Sequence, residues 1–282
     1  MSDPQPEGPN GREPKPLEKA DDTSDHSLVP SSKSMALFSR MWSHMQEPVR
    51  ASSFVEFELV FLTFCTGIQD AISFPDYHCF ASNQTGNTVF LMLAIILPEL
   101  NGEMFITANI GAALGFFLLA GWITGQISHI VGARRRSWLV CSNFFQSCLV
   151  FAAAAMQHTY GTEIKGTNAV IVIALLAFAS GSQVIQSRSM KMTEISTAMA
   201  TAAWVDLMID PGIFKLNNRP RTRRVMFLFS LACGSLVGAG IYRSAGSAAA
   251  IFVSAVGKLI VTVMYLFNST DKPKEITGDE AC

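Results

Sequence analysis

Six apolar runs, each 18 to 25 residues long, divide this chain: Phe54 to Phe74, Met104 to Ser128, Ser137 to Met156, Asn168 to Ser187, Val225 to Tyr242 and Ser247 to Phe267. A helix rising 1.5 Å per residue needs about 20 apolar residues to cross a hydrocarbon core of about 30 Å. In that medium every backbone N–H and C=O must find a partner inside the protein, so such runs fold as spanning helices. Composition agrees: 49% of residues are hydrophobic and 15% charged, more apolar than soluble domains are. The expected class is all-α, a polytopic membrane helix bundle.

Two further apolar segments are shorter or more polar: Thr88 to Leu100, and Ile195 to Ile209, which carries Ser196, Thr197, Thr201 and Asp206. Short cytoplasmic loops collect Lys and Arg, and that bias arbitrates between six and eight crossings. With six spans and a cytoplasmic N-terminus, 18 of the 21 basic residues lie inside, Lys165 and Arg243 lie outside, and Lys258 lies within a span. Eight crossings would put Arg134, Arg135 and Arg136 outside. The reading is therefore six spans plus two short re-entrant helices, multi-pass, with both termini cytoplasmic. Residues 1–50 form a disordered cytoplasmic tail, 54–267 the membrane domain with halves 54–157 and 168–267, and 268–282 a second cytoplasmic tail. Within the first tail, Met35, Phe38, Met41, Trp42 and Met45 recur at helical spacing, which fits either an interfacial helix over 35–45 or a continuation of the tail.

An internal repeat supports the division into halves. Gly67-x-Gln69-x-x-x-Ser73 recurs as Gly181-x-Gln183-x-x-x-Ser187, and Thr85-Gly-Asn-Thr-Val-Phe-Leu91 aligns with Thr201-Ala-Ala-Trp-Val-Asp-Leu207. The third element of each half also carries spaced glycines: Gly111, Gly115, Gly121 and Gly125 in one, Gly234 and Gly238 in the other. Such spacing reads as close helix packing. Three spans per half is an odd number, so the second half is inverted. Inverted three-plus-three repeats with a short element in each half are a secondary-transporter architecture, with the site at the repeat interface near mid-membrane.

The polar stretch from Gly67 to Leu93 interrupts the apolar pattern and holds the leading site candidates: Asp70, Asn83, Thr85, Asn87 and Thr88. Ionisable groups within spans mark solute or ion paths, although Asp70 also suits a structural acceptor. Asn and Thr before a helix cap its free N–H groups, and the same N-terminus attracts anions or dipoles. Gln69, Gln183, Asp206 and Lys258 form a second tier. A lone ammonium at mid-span costs about 2.5 to 3.5 kcal/mol on insertion scales. Lys258 is expected either to find Asp70 or Asp206 or to snorkel to an interface.

The motif Gly67-x-x-Asp70-Ala71, then Phe80, Ser82-Asn83-x-Thr85-Gly86-Asn87-Thr88 and a leucine-rich run, resembles the signature of the YoaK-like family of integral membrane proteins. The resemblance covers roughly residues 55 to 267, by the run of spans. It implies a small multi-span protein of the kind called permeases, and it implies no mechanism.

Other classes find little support. No H-E-x-x-H, G-x-S-x-G or phosphate loop is present, and the five His are scattered singly, so neither an enzyme nor a metal or cofactor site is expected. The six Cys lack a C-x-x-C pair and read as small buried hydrophobes. The Lys and Arg sit in short blocks between spans, so nucleic acid is not an expected partner. The expected partners are the lipid bilayer, an unidentified small solute and, as a homo-oligomer, further copies of the chain. The function expected is a permease or transporter with a polar site at the short helix after Thr85. The alternative is a non-transporting membrane scaffold or regulatory subunit.

Overall fold

Apolar runs broken by Gly, Pro and Asn become helices in a computed structural model, which describes residues 32–215 and 217–271. The expected disorder of the first 31 residues, and most of the C-terminal tail, lie outside the described residues. The helices are α1 (Ser32–Gln46), α2 (Ser53–Tyr77), α3 (Gln84–Ile96), α4 (Thr107–Val131), α5 (Arg136–Tyr160), α6 (Thr167–Ser189), α7 (Ala200–Met208), α8 (Arg219–Ala245) and α9 (Ser247–Met264). Six of them, α2, α4, α5, α6, α8 and α9, are long and apolar enough to cross a bilayer. The protein is a multi-pass membrane protein. At 1.5 Å per residue the 13 residues of α3 and 9 of α7 reach only about two thirds or less of the ~30 Å core.

Local chemistry sets the ends. Ser52 caps α2 by accepting from Val55 N–H at 3.4 Å, and Asn218 caps α8 by accepting from Arg221 N–H at 3.1 Å. In α1, Met41 and Trp42 are exposed.

From Arg40 onward the chain is one unit. Within it α2 and α6 are the most enclosed spans, whereas α4 and α8 present Leu118, Trp122, Phe229 and Leu236 outward. Helix α2 packs chiefly on α8 and α9, α6 on α4 and α5, and α5 on α9; α3 lies on α4 and α7 on α8. The segments around Pro48, Arg135 and Thr270 meet at one end: Val49 N–H donates to Arg134 C=O at 2.8 Å, and Arg50 N–H to Ser269 C=O at 2.9 Å. This basic end therefore carries both edges of the membrane domain. Asn268 is buried there and donates to both oxygens of Glu58, at 2.7 and 2.9 Å.

Close crossings follow the glycines of α8 and not those of α4. A Cβ on Gly234 would fall onto the backbone of Phe64, and one on Gly238 onto Ile68. Gly67 meets the Leu231 carbonyl and Gly234 in the same way. On α4, Gly111, Gly115 and Gly125 have nothing within 4 Å, and Gly121 only ordinary contact with Ile185 at 3.8 Å. The expected matching of glycine series is thus corrected: α4 approaches Gly181 of α6 through Phe117 and Ala120, and Ala is small enough for a close approach. Cys65 and Cys79 are buried as expected, but Cys141 and Cys148 face outward.

Candidate functional site

The nine candidate residues fall into three places. The first is the connection between α2 and α3. Helix α2 ends in the left-handed conformation at His78 (φ 51°), three residues after Pro75. The chain then doubles back, and side chains meet its backbone polar groups. Asp70 Oδ1 accepts from Ser82 N–H at 2.9 Å while Oδ2 accepts from the Ser82 hydroxyl. Ser73 Oγ accepts from Ala81 N–H at 3.2 Å. Asn87, fully buried, accepts from Phe80 N–H at 2.9 Å and donates to Phe80 C=O at 2.7 Å and to Gln84 Oε1 at 2.9 Å. One amide thereby replaces a strand partner for Phe80. Asn83 caps α3 by accepting from Gly86 N–H at 3.4 Å, and Thr88 donates to Gln84 C=O at 2.8 Å. Thr85 is exposed. Helix α3 starts four residues before Thr88, because Asn83 supplies its cap. This density of bonding is what non-helical backbone at membrane depth requires. Burial beside Asp70 pushes the Cys79 thiol up to about 12, so it stays protonated.

The second place is mid-membrane, where Gln69, Gln183 and Lys258 come together. Gln183 Nε2 donates to Thr66 Oγ1 at 2.8 Å, and Ser180 donates back across the same crossing to Gln69 Oε1 at 3.4 Å. Gln69 Nε2 donates to Ser254 Oγ at 2.8 Å. Lys258 Nζ donates to Gln183 Oε1 and, at 3.3 Å, to Gln146 Oε1. Gln146 donates in turn to Gln186 Oε1 at 2.9 Å. Lys258 is 1% exposed, so it does not snorkel. Nor does it pair with an aspartate: Asp70 is held by Ser82, and Asp206 lies 3.6 Å from Arg224. Both expectations for Lys258 are therefore corrected. Neutral amides on two neighbouring helices, α5 and α6, solvate it, an arrangement that no local spacing encodes. Gln146 and Gln186 went unnoticed in the sequence, although glutamines inside apolar runs were a usable signal.

The third place is the basic end, where Asp206 lines a cavity of about 360 Å³ together with Arg188, Thr193, Glu194, Ser196 and Met199. Its rim is an ion-pair chain: Glu56 with Arg219 and Arg223, each at 2.6 Å, and Arg223 with Glu194 at 3.4 Å. Arg224 reaches Asp206 and Asp210. The Gly212 N–H, then Asn218, hold the Asp210 carboxyl below its ordinary value.

At the far end, sequence reading also missed a clamp. Gln157 donates to Asp76 Oδ2 at 2.7 Å and to the Ser247 hydroxyl, joining α2, α5 and α9. Asn109 donates to both Tyr77 C=O and Ile164 C=O at 3.0 Å. Among the described residues no three His, Cys, Asp or Glu side chains gather as a metal site.

Residues 59–264 match the model of a family described as "Protein of unknown function (DUF1275)". The chain belongs to the DUF1275 family. This is the family of YoaK-like membrane proteins to which the Gly67 to Leu93 motif pointed, and the match takes in all six spans, their outermost turns apart. No curated protein and no solved structure matches the chain. In this DUF1275 chain the Asn-x-Thr-Gly-Asn-Thr segment supplies the cap of α3, Asn83, and its first turn.

Proposed function

We propose that the protein is a secondary transporter, or permease, of a small solute, built from two inverted halves that meet at the α2–α6 crossing. One observation carries the reading: the contacts that each half makes with the other recur at a constant offset of 114 residues. Gly67 meets Leu231 and Gly234, and Gly181 meets Phe117 and Ala120. Gly238 meets Ile68, and Thr124 donates to Ser182 at 2.9 Å. Thr66 and Gln69 exchange bonds with Gln183 and Ser180, the same two positions of each half facing one another. Exchanging α2 with α6, α3 with α7, α4 with α8 and α5 with α9 leaves the set of packed helix pairs unchanged. Inverted-repeat transporters hold their sites at such an interface, with a short or broken element in each half.

In this reading α3 and α7 are the re-entrant elements, the basic end is cytoplasmic by the Lys and Arg bias, and the protein does no chemistry on its solute. Asp70, Asn83, Thr85, Asn87 and Thr88 form the seal at the far end. Gln69, Gln183 and Lys258 line the path at mid-membrane, and Asp206 stands at its cytoplasmic mouth. The test is uptake from a mixed metabolite extract by vesicles with and without the protein, read by mass spectrometry. Protein-dependent, saturable uptake of a solute is the expected result.

A second reading, a non-transporting scaffold or regulatory subunit, draws support from the α2–α3 connection. There the polar side chains bond one another, and the cavities found among the described residues are lined elsewhere. Under it the same vesicles show no uptake beyond that of lipid alone.

A further inference from the structure

Lys258 lies eleven residues into its span and nine from the span's end, as deep in the bilayer as a side chain on α9 can be. Every neighbour that bonds it is neutral, and the acceptors point inward. Gln183 and Gln146 direct Oε1 at Nζ while their Nε2 groups are spent on Thr66 and Gln186. Gln186 Nε2 is spent in turn on the Leu139 carbonyl at 2.9 Å. Amides fixed this way solvate a cation. Yet an ammonium has three donors, and only two acceptors are in place. No carboxylate among the described residues comes within 4 Å of Nζ. Protonated, Lys258 thus carries one unbalanced positive charge and one unfilled donor.

Three solute classes can be weighed against that charge. A cation would be repelled, since nothing acidic in the cluster offsets Lys258. A neutral solute would leave the charge uncompensated in a medium where attraction between opposite charges is far stronger than in water. An anion supplies the missing counter-charge and the third acceptor together.

We propose that Lys258, with Gln183 and Gln146, is the recognition site for a small oxyanion of the carboxylate class. This rests on the transport reading above. It also specifies it: Lys258 Nζ donates its third N–H to the carboxylate while Gln183 and Gln146 keep Oε1 on the other two.

The experiment uses the full chain in lipid nanodiscs, with thermal unfolding followed in sodium acetate, sodium lactate, choline chloride and glucose series at fixed ionic strength. Carboxylates should raise Tm saturably, by about 3 °C or more once concentration far exceeds Kd. Lys258→Arg should keep the rise, and Lys258→Met should abolish it while raising the basal Tm. Should Lys258→Met fail to fold, Lys258→Gln carries the same readout. In vesicles, acetate or lactate uptake should fall at least tenfold in Lys258→Met. A rise with glucose or choline and none with carboxylates overturns the inference, as does a carboxylate rise that is equal in Lys258→Met. Uptake of a neutral solute would overturn the anion site alone and leave transport standing. A folded protein that moves no solute overturns transport itself.

Discussion

The connections that follow α2 and α6 solve one physical problem in two ways. Both carry the chain from an enclosed span to a short helix, and both must satisfy non-helical backbone near the membrane. After α2 the connection is six residues long, 78–83, and Asp70, Ser73 and Asn87 bond its amides and carbonyls directly. After α6 it is ten residues long, 190–199, and the aligned positions hold Val184, Ser187 and Ala203. Only the serine is kept, and it makes the same turn-back bond, Ser187 to Val184 C=O at 2.8 Å, as Ser73 makes to Asp70 C=O at 3.4 Å. The longer connection bends through left-handed Lys191 and Thr197 and borders the 360 Å³ cavity. The difference teaches that the polar signature of the first connection is backbone chemistry, and that the second half lacks it.

The largest expected effect belongs to Asn87→Ala. It strips the partners from Phe80 N–H and C=O, each worth about 1–3 kcal/mol when left buried and unsatisfied. Thermal unfolding in detergent should show loss of most of the folded protein, whereas Ala203→Asn at the aligned position should shift Tm by about 1 °C at most. Equal losses would mean that the two connections depend alike on their amides.

Next come the crossings. Gly234→Ala and Gly181→Ala push a methyl onto opposing backbone and should each cost about 1–3 kcal/mol, while Gly115→Ala should be neutral or slightly stabilising. Similar costs at Gly234 and Gly181 would tighten the correspondence between halves, and a harmless Gly181→Ala would break it.

Asp70→Asn should cost about 1 kcal/mol. Both carboxylate oxygens accept from Ser82, and an amide offers only one acceptor. Expression and folding should stay near normal, and flux should be lost.

The smallest effect lies outside both connections. The Thr270 hydroxyl, then the nearby His44 and Arg136 charges, hold the Glu47 carboxyl below its ordinary 4.5. A depressed carboxyl contributes stability above its unfolded value and loses it as pH falls through the folded one. Glu47→Gln should therefore change Tm slightly at pH 7 and by less as the pH falls; a larger difference at low pH would contradict the assignment.

The spans were legible in the sequence because length and hydropathy suffice to mark a membrane helix. The α3 start was missed by four residues because the side chain of Asn83, and not the apolar pattern, decides it. The candidates Asp70, Asn83, Asn87 and Thr88 were legible as one group because they are close in sequence. The grouping of Lys258 with Gln146, Gln183 and Gln186 was not, since those residues sit 112, 75 and 72 positions away and meet only once α5, α6 and α9 pack. Glycine spacing misled on α4 because the helix turns Gly111 and Gly115 away from α6.

The transport reading proposed above makes the seal after α2 and the cavity after α6 opposite states of equivalent gates. Native Cys79, buried in the seal, and a Ser196→Cys thiol in the cavity wall report on each. With the other cysteines replaced, labelling by an impermeant thiol reagent is compared with and without Asp70→Asn. The account predicts that weakening the seal raises Cys79 labelling from the far side and lowers Ser196→Cys labelling from the basic side. If Cys79 labelling rises while Ser196→Cys stays unchanged or rises too, the gates are not coupled and the claim fails.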